Sequence, residues 1–524
     1  MTILLERPSE QLAPAPVAPR PPRRVPTDVL VVGGLLLVVL LIQGWNITGY
    51  PAVSDDEGTY LAQAWAVQHG SLAHYTYWYD HPPGGWIQLA ALSWLPAVVA
   101  PETLAVASAR LVMLLVTAIS VVLLYVLARR LAFARWSAAL AVLVFGLSPL
   151  SVTLQRQIYL DSFAVAWALG AFVLALSPRK HLWHHVAAGA CAAVAILSKE
   201  TILIVLPAIV VAVWQGTDRT TRKFSLAGFL CGLALVGAVY PLYAVLKGEL
   251  LPGDDHVSLL GAMLFQVHDR AGSGSIFTTG SGANALLDSW LFYDAVLLVG
   301  GAIAVTLALA IKRLRAPALA GFLLTLVAMR PGGYLPAMYV IQALPFFALS
   351  LAGLVEVAGR YLLADRRGTW VYGREGRRIV AIACAVAAIG FVVPRWYDGD
   401  RTALTTAANH HYASAATWID ANIADPRKTR IVVDDALWLD VVEAGFEPRH
   451  GAVWFYKLDL DSAVKAEFPN GWRDMDYIVS SPIVRQNRAT LPTVDTLLDH
   501  STVVKAFGTG EDRIEVRKVN EEGQ

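Results

Sequence analysis

The sequence predicts a polytopic α-helical membrane protein of about 11 transmembrane helices, closed by a small C-terminal α/β soluble domain. Three observations carry that expectation. Of 524 residues, 56% are hydrophobic and only 16% charged, where a soluble domain carries about a quarter charged. Apolar runs long enough, or nearly so, for the hydrocarbon core recur from residue 28 to residue 395. From Trp396 onward the composition turns soluble, with 14 Lys+Arg against 21 Asp+Glu in 396–524.

Residues 1–27 are rich in Pro and Arg and lack a small-residue cleavage site, so they read as a disordered cytoplasmic tail. Apolar runs follow at 28–48, 84–101, 104–128, 136–154, 160–177, 183–199, 201–215, 224–246, 290–311, 317–330, 335–357 and 379–395. The basic clusters Arg20/Arg23/Arg24, Arg129/Arg130/Arg135, Arg179/Lys180, Arg219/Arg222/Lys223, Lys312/Arg313/Arg315 and Arg360 to Arg378 fall on one side only if one early run does not cross. Gly84-Gly85, Pro96 and Pro101 single out 84–101 as a surface or re-entrant helix. The expected membrane domain is therefore 28–395, with a first outer loop at 48–103 that carries juxtamembrane helices and a second at 247–289. This places the protein in the plasma membrane with its N-terminus cytoplasmic and 396–524 extracytoplasmic. In that last region, alternation predicts strands at 430–434, 477–480 and 513–517, and apolar spacing predicts a helix over 411–423.

Composition also excludes. A net charge of +1 without a basic, aromatic-laced patch argues against nucleic acid. No Walker or Rossmann glycine pattern suggests a nucleotide cofactor. Cys191, Cys231 and Cys384 lie inside apolar runs and read as small buried residues rather than disulfide partners.

The polar residues left on the outer side are the chemical candidates. Ser54-Asp55-Asp56-Glu57 puts three carboxylates beside lipid, which is costly unless they perform a function. One could act as general base while a neighbour binds a metal or orients an acceptor. The plainer reading is an acidic first turn favoured by the positive end of a helix. His81-Pro82-Pro83 is a rigid turn whose histidine could donate to a phosphate oxygen or simply cap the turn. Arg156 and Asp161 sit at the outer ends of adjacent runs, as site residues or as a mutual ion pair. Lys199-Glu200 interrupts two apolar runs, where the lysine could hold a phosphate or snorkel to the interface. Asp254-Asp255-His256 and His268-Asp269-Arg270 lie in the long outer loop and read as solvated rather than metal-binding.

Taken in order, Asp56-Glu57-x-x-Tyr60, His81-Pro82-Pro83, Arg156 with Asp161, Lys199, and Tyr339 followed by Pro345 resemble the landmarks of one superfamily over residues 28–360. These are the GT-C glycosyltransferases of the protein O-mannosyltransferase and aminoarabinose transferase type, and the acidic tail resembles that of actinobacterial members. The resemblance implies an inverting transferase that takes a sugar from a polyprenyl-phosphate-linked donor to an extracytoplasmic acceptor at the lipid bilayer. It gives Asp56 the catalytic acidic position, with Glu57 its partner and Asp55 the alternative base. It gives Asp161, with Glu57, the place of a divalent cation (Mg or Mn). Lys199, Arg156 and His81 become donor-phosphate contacts, and Tyr60, Arg330 and Tyr339 substrate contacts. The chain departs from the pattern in two places: Asp55 precedes the usual pair, and aminoarabinose transferases carry a lysine where His81 stands. Two rivals remain. A lipid or polysaccharide transporter would need charges deep in its spans, and a phosphoethanolamine-type transferase would need a nucleophile such as Thr201.

Overall fold

A computed structural model describes residues 26–75, 79–100, 104–253, 257–363 and 373–520. Most of the expected tail, the loop residues Asp254-Asp255-His256 and the basic residues Arg366 and Arg367 lie outside them.

The first apolar run folds as α1 (Thr27–Gly44), and the acidic triplet opens α2 (Asp55–Gln68). The run at 84–101 becomes two short helices, α3 (Gly84–Leu92) and α4 (Trp94–Val99), neither long enough to cross a bilayer. Among the described residues, six helices are long and apolar enough to span, and a bent pair, Arg135–Leu147 with Pro149–Arg156, would make a seventh. The bend of 62° falls at Ser148-Pro149, where proline cannot continue the preceding ladder. Four shorter apolar helices complete the bundle: Leu160–Ala175, Leu182–Ser198, Glu200–Gly216 and Arg315–Ala328. The chain is thus a multi-pass membrane protein.

The helix Gly282–Ala308 breaks at Asp294, whose φ of −157° and ψ of 89° are extended. Its carboxylate accepts from the N–H groups of Val296 and Leu297 at 2.8 and 3.0 Å and from the Ser148 hydroxyl at 2.6 Å. Asp294 therefore acts as an internal N-cap, which offsets the amides freed by the break. Cys191 is half-buried, but Cys231 and Cys384 are exposed on the helix surface rather than in the interior expected for them.

The last apolar helix runs unbroken over Gly373–Thr405. The soluble fold therefore starts later than the change of composition at Trp396, because polar residues continue the helix for nearly three more turns. After the helix His410–Asn422 comes a five-stranded sheet of order β2-β1-β3-β5-β4: β1 (Ile431–Val433), β2 (Ala452–Trp454), β3 (Tyr477–Ser480), β4 (Ser501–Phe507) and β5 (Ile514–Val519). β1 pairs parallel with β2 and β3, and β5 pairs antiparallel with β3 and β4.

The sheet region docks on the segment between α1 and the helices that follow α4. Gly58 of α2 lies so close to the helix Asp435–Glu443 that a Cβ there would come within 2.2 Å of the Asp435 carbonyl. Asn409 accepts from the Val53 N–H at 2.9 Å and donates to the carbonyls of Thr48 and Pro51 at 2.8 and 3.0 Å. The Ala105 N–H donates to Asp440 at 3.0 Å. The C-terminal region thus clamps the helix that carries the acidic triplet.

Candidate functional site

Asp55, Asp56 and Glu57 form the first turn of α2, and helix geometry divides them. Glu57 points inward and is fully buried. Its two oxygens accept from Arg110 at 2.7 and 2.6 Å, from the Ile158 N–H at 3.0 Å and from the Gln157 amide at 3.3 Å. The Ser54 N–H reaches it at 3.3 Å, half of a capping box. Arg110 uses its remaining donors on the carbonyls of Pro51 at 2.7 Å and Ala52 at 3.3 Å. Glu57 was expected as catalytic partner and metal ligand. In the structure its lone pairs are met by a bidentate guanidinium and backbone amides.

Asp55 and Asp56 face outward and stay accessible. Even so, desolvation by the surrounding protein pushes the Asp56 carboxyl up to about 6, the Asp55 charge adds to the shift, and Lys199 and His81 pull it back. Asp55 is raised as well, by desolvation.

The His-Pro-Pro turn is delivered to this cluster by the glycines that follow it. A Cβ on Gly84 would come within 2.5 Å of the Leu197 carbonyl, so only glycine lets α3 approach the end of the helix Leu182–Ser198. At that end Lys199 turns extended, with φ −155° and ψ 119°, and the chain resumes as a 3-10 turn at Glu200. The result places Lys199 Nζ 2.9 Å from His81 Nε2, and His81 Nδ1 3.2 Å from Glu200. The Tyr60 ring, one helical turn after Asp56, lies 5.9 Å from the ammonium and 6.2 Å from the imidazole. Asp80 stands 3.9 Å from His81 and accepts from Gln266 of the 247–289 loop at 2.9 Å.

Asp161 opens the helix Leu160–Ala175 and is buried. It does not pair with Arg156. Instead its Oδ1 accepts from Gln342 Nε2 at 2.6 Å, and the same amide reaches Thr201 Oγ1 at 2.5 Å. Asp161 Oδ2 and Gln342 Oε1 have no hydrogen-bond partner among the described residues.

Three other expected contacts are drawn elsewhere. Arg156, expected at the donor phosphate, donates to the carbonyls of Ile42 at 2.7 Å, Ala403 at 3.0 Å and Tyr50 at 3.4 Å, which ties two helix ends together. Arg330 is exposed and donates to the Tyr334 carbonyl at 2.9 Å. Tyr339 is buried with its hydroxyl on the Leu324 carbonyl at 3.1 Å. The ligand set expected for Mg or Mn does not assemble either. Glu57 is occupied, and no three His, Cys, Asp or Glu side chains converge among the described residues. His268 and Asp269 form an exposed pair at 3.1 Å.

Residues 81–243 match the family described as dolichyl-phosphate-mannose-protein mannosyltransferase. That stretch begins at His81 and holds Asp161 and Lys199, but not the acidic triplet. A comparison with curated proteins found no match. Among solved structures, ArnT from Cupriavidus metallidurans bound to undecaprenyl phosphate superposes with a TM-score of 0.58 at 17% identity, covering 94% of this chain and 98% of that one. The apo state of the same protein gives 0.57 over the same shares at 17% identity. The Archaeoglobus fulgidus oligosaccharyltransferase in its apo form gives 0.53 at 13% identity, covering 89% of this chain and 71% of that one. The fold is that of the GT-C glycosyltransferases.

Two positions near the acidic turn escaped the sequence reading. Arg110 carried a signal, since a lone arginine in the otherwise apolar run 104–128 requires a partner. Gln342 carried none. It becomes notable only when the fold sets it against Asp161 and Thr201.

Proposed function

We propose that the chain is an inverting glycosyltransferase that moves a sugar from a polyprenyl-phosphate-linked donor to an acceptor hydroxyl on the outer face of the membrane. One observation carries this reading. An accessible carboxylate, Asp56, held up to about 6, feels the charges of a buried lysine and its histidine partner. A base and a phosphate-binding cation pair thus share one cluster. The acceptor hydroxyl gives its proton to Asp56 as its oxygen bonds the sugar C1 and the C1–O bond to phosphate breaks. Negative charge develops on the leaving phosphate, which Lys199 and His81 stabilise electrostatically. No step in this reading is routed through a metal.

The donor class is supported by the name of the matched family and by the undecaprenyl phosphate bound to ArnT in a structure of the same fold. In this reading the seven longer crossings and the four shorter apolar helices all span, the N-terminus is cytoplasmic, and the sheet region lies outside beside the acceptor. The test is release of free polyprenyl phosphate from a labelled lipid-linked sugar by the purified protein. Asp56→Asn is expected to lower that release by about 10²–10⁴-fold, the usual contribution of a positioned base. Full release by the variant would remove Asp56 from the mechanism.

A further inference from the structure

The helices that start at the acidic cluster end at a second polar site on the opposite end of the bundle. The helix Leu111–Arg130 begins directly after Arg110, the partner of Glu57, and runs for 20 residues, a rise of about 30 Å. The helix Leu160–Ala175 carries Asp161 at its start. At its other end a Cβ on Gly216 would come within 2.1 Å of the Ala175 carbonyl, so glycine lets the helix Leu206–Gly216 close on it. These three ends, with Asp28 of α1, border a cavity of about 570 Å³ whose charged lining is Asp28, Arg129, Arg130 and Lys180.

The four charges differ in what holds them. Arg129 stands 3.3 Å from Asp28, and Lys180 Nζ 2.6 Å from Asp218. Asp28 also receives Arg135 at 3.1 Å and the Tyr125 hydroxyl at 2.8 Å, so its charge is already met. Arg130 differs: its Nη1 is buried without a hydrogen-bond partner among the described residues. A buried guanidinium N–H without an acceptor is costly. Basic residues at helix C-termini are the usual complement of the dipole. That accounts for the sign of the charge here, but not for a cavity beside an unsatisfied guanidinium.

Three tryptophans give the depth of the cavity. Trp136, Trp183 and Trp214 each lie within two residues of a helix terminus at this end, and they are 53%, 61% and 52% exposed. The Arg222 guanidinium lies 4.2 Å over the Trp214 ring. Exposed indoles at helix ends mark the headgroup level of a bilayer. The anion within reach of Arg130 is therefore one carried by a lipid.

We propose that this cavity binds the phosphodiester of an anionic phospholipid, with Arg130 taking its oxygens. A phosphate oxygen only accepts, and the guanidinium fork meets two of them at once. The surplus of cations over carboxylates in the lining selects a headgroup of net negative charge over a zwitterionic one. Val126 and Leu176 in the lining suit the upper part of an acyl chain. In the orientation proposed above the site faces the cytoplasmic leaflet. It stands apart from the transferase reading, and its test does not use turnover.

The experiment titrates the full-length protein, delipidated in detergent, with dioleoyl phosphatidylglycerol or dioleoyl phosphatidylcholine and counts bound lipid by native mass spectrometry. One phosphatidylglycerol should bind well above the phosphatidylcholine level. Arg130→Gln should weaken it by about tenfold or more, the loss expected for a charge-assisted pair. Arg315→Gln should leave binding unchanged, because that exposed arginine lies outside the cavity and donates to the Leu309 carbonyl. If Arg130→Gln does not fold, the wild type decides alone. A phosphatidylglycerol with a photoreactive headgroup should then crosslink at 126–130, 176–180 or 215–216. Equal affinity in the wild type and Arg130→Gln, or crosslinks only elsewhere, overturns the site. Equal binding of the two lipids overturns the selection by charge. Displacement of the lipid by millimolar inorganic phosphate makes this a site for a free anion and overturns the lipid assignment.

Discussion

Replacing Glu57 by glutamine separates structure from chemistry in the acidic triplet. The carboxylate is fully buried and receives two charge-assisted bonds from Arg110 at 2.7 and 2.6 Å, as well as the Ile158 N–H at 3.0 Å. An amide keeps one acceptor oxygen and turns a donor toward the guanidinium, which leaves a buried cation without its counter-charge. Breaking a buried pair from one side costs about 3–5 kcal/mol, a large share of a stability of about 5–15 kcal/mol. Glu57→Gln should therefore lower the unfolding midpoint in nanodiscs sharply and reduce yield, with activity per folded molecule falling less than in Asp56→Asn. Removing both partners, as in Glu57→Gln with Arg110→Met, should cost less than the sum of the single changes. A Glu57→Gln protein that melts like the wild type yet has lost turnover would refute this reasoning and return Glu57 to the reaction.

The Asp56 carboxyl sits at about 6, so turnover should rise with pH along a limb centred there, since only the ionised form accepts a proton. The stability contribution of this group runs the other way. A raised carboxyl favours the folded state at low pH and loses that stabilisation as pH climbs through about 6. Asp56→Asn should remove both dependences, as measured by a pH–rate profile and a melting series. Gly58→Ala should loosen the clamp between α2 and the helix Asp435–Glu443, because its Cβ would overlap the Asp435 carbonyl at 2.2 Å. Faster proteolysis of the C-terminal region would report that, and unchanged proteolysis would count against the clamp. A reporter fused after Gln524 should be active only outside the cytoplasm and one after Arg135 only inside. Activity on the same side for both would overturn the eleven-crossing arrangement.

What the sequence disclosed and what it withheld follow one physical line. Periodicity and charge placement are local, so the apolar runs, the helix at 410–422 and the strands β1, β3 and β5 were legible, while the single helix expected over 84–101 is divided at Ser93. β2 and β4 were not: Ala452–Trp454 is only three residues long, and Ser501–Phe507 is mostly exposed edge strand. The site divides in the same way. Asp56, His81 and Lys199 announced themselves because each is a costly residue beside lipid, and cost alone marks candidates. Cost does not say which direction a side chain faces. Glu57 and Asp56 are neighbours of the same chemical type, and a rotation of about 100° per residue along α2 sends one into a guanidinium and leaves the other open to solvent. Arg156 and Lys199 are both buried cations at helix ends, yet one meets three carbonyls and the other an imidazole. Their difference lies in partners more than a hundred residues away in sequence, and for that reason only the folded chain tells the two apart.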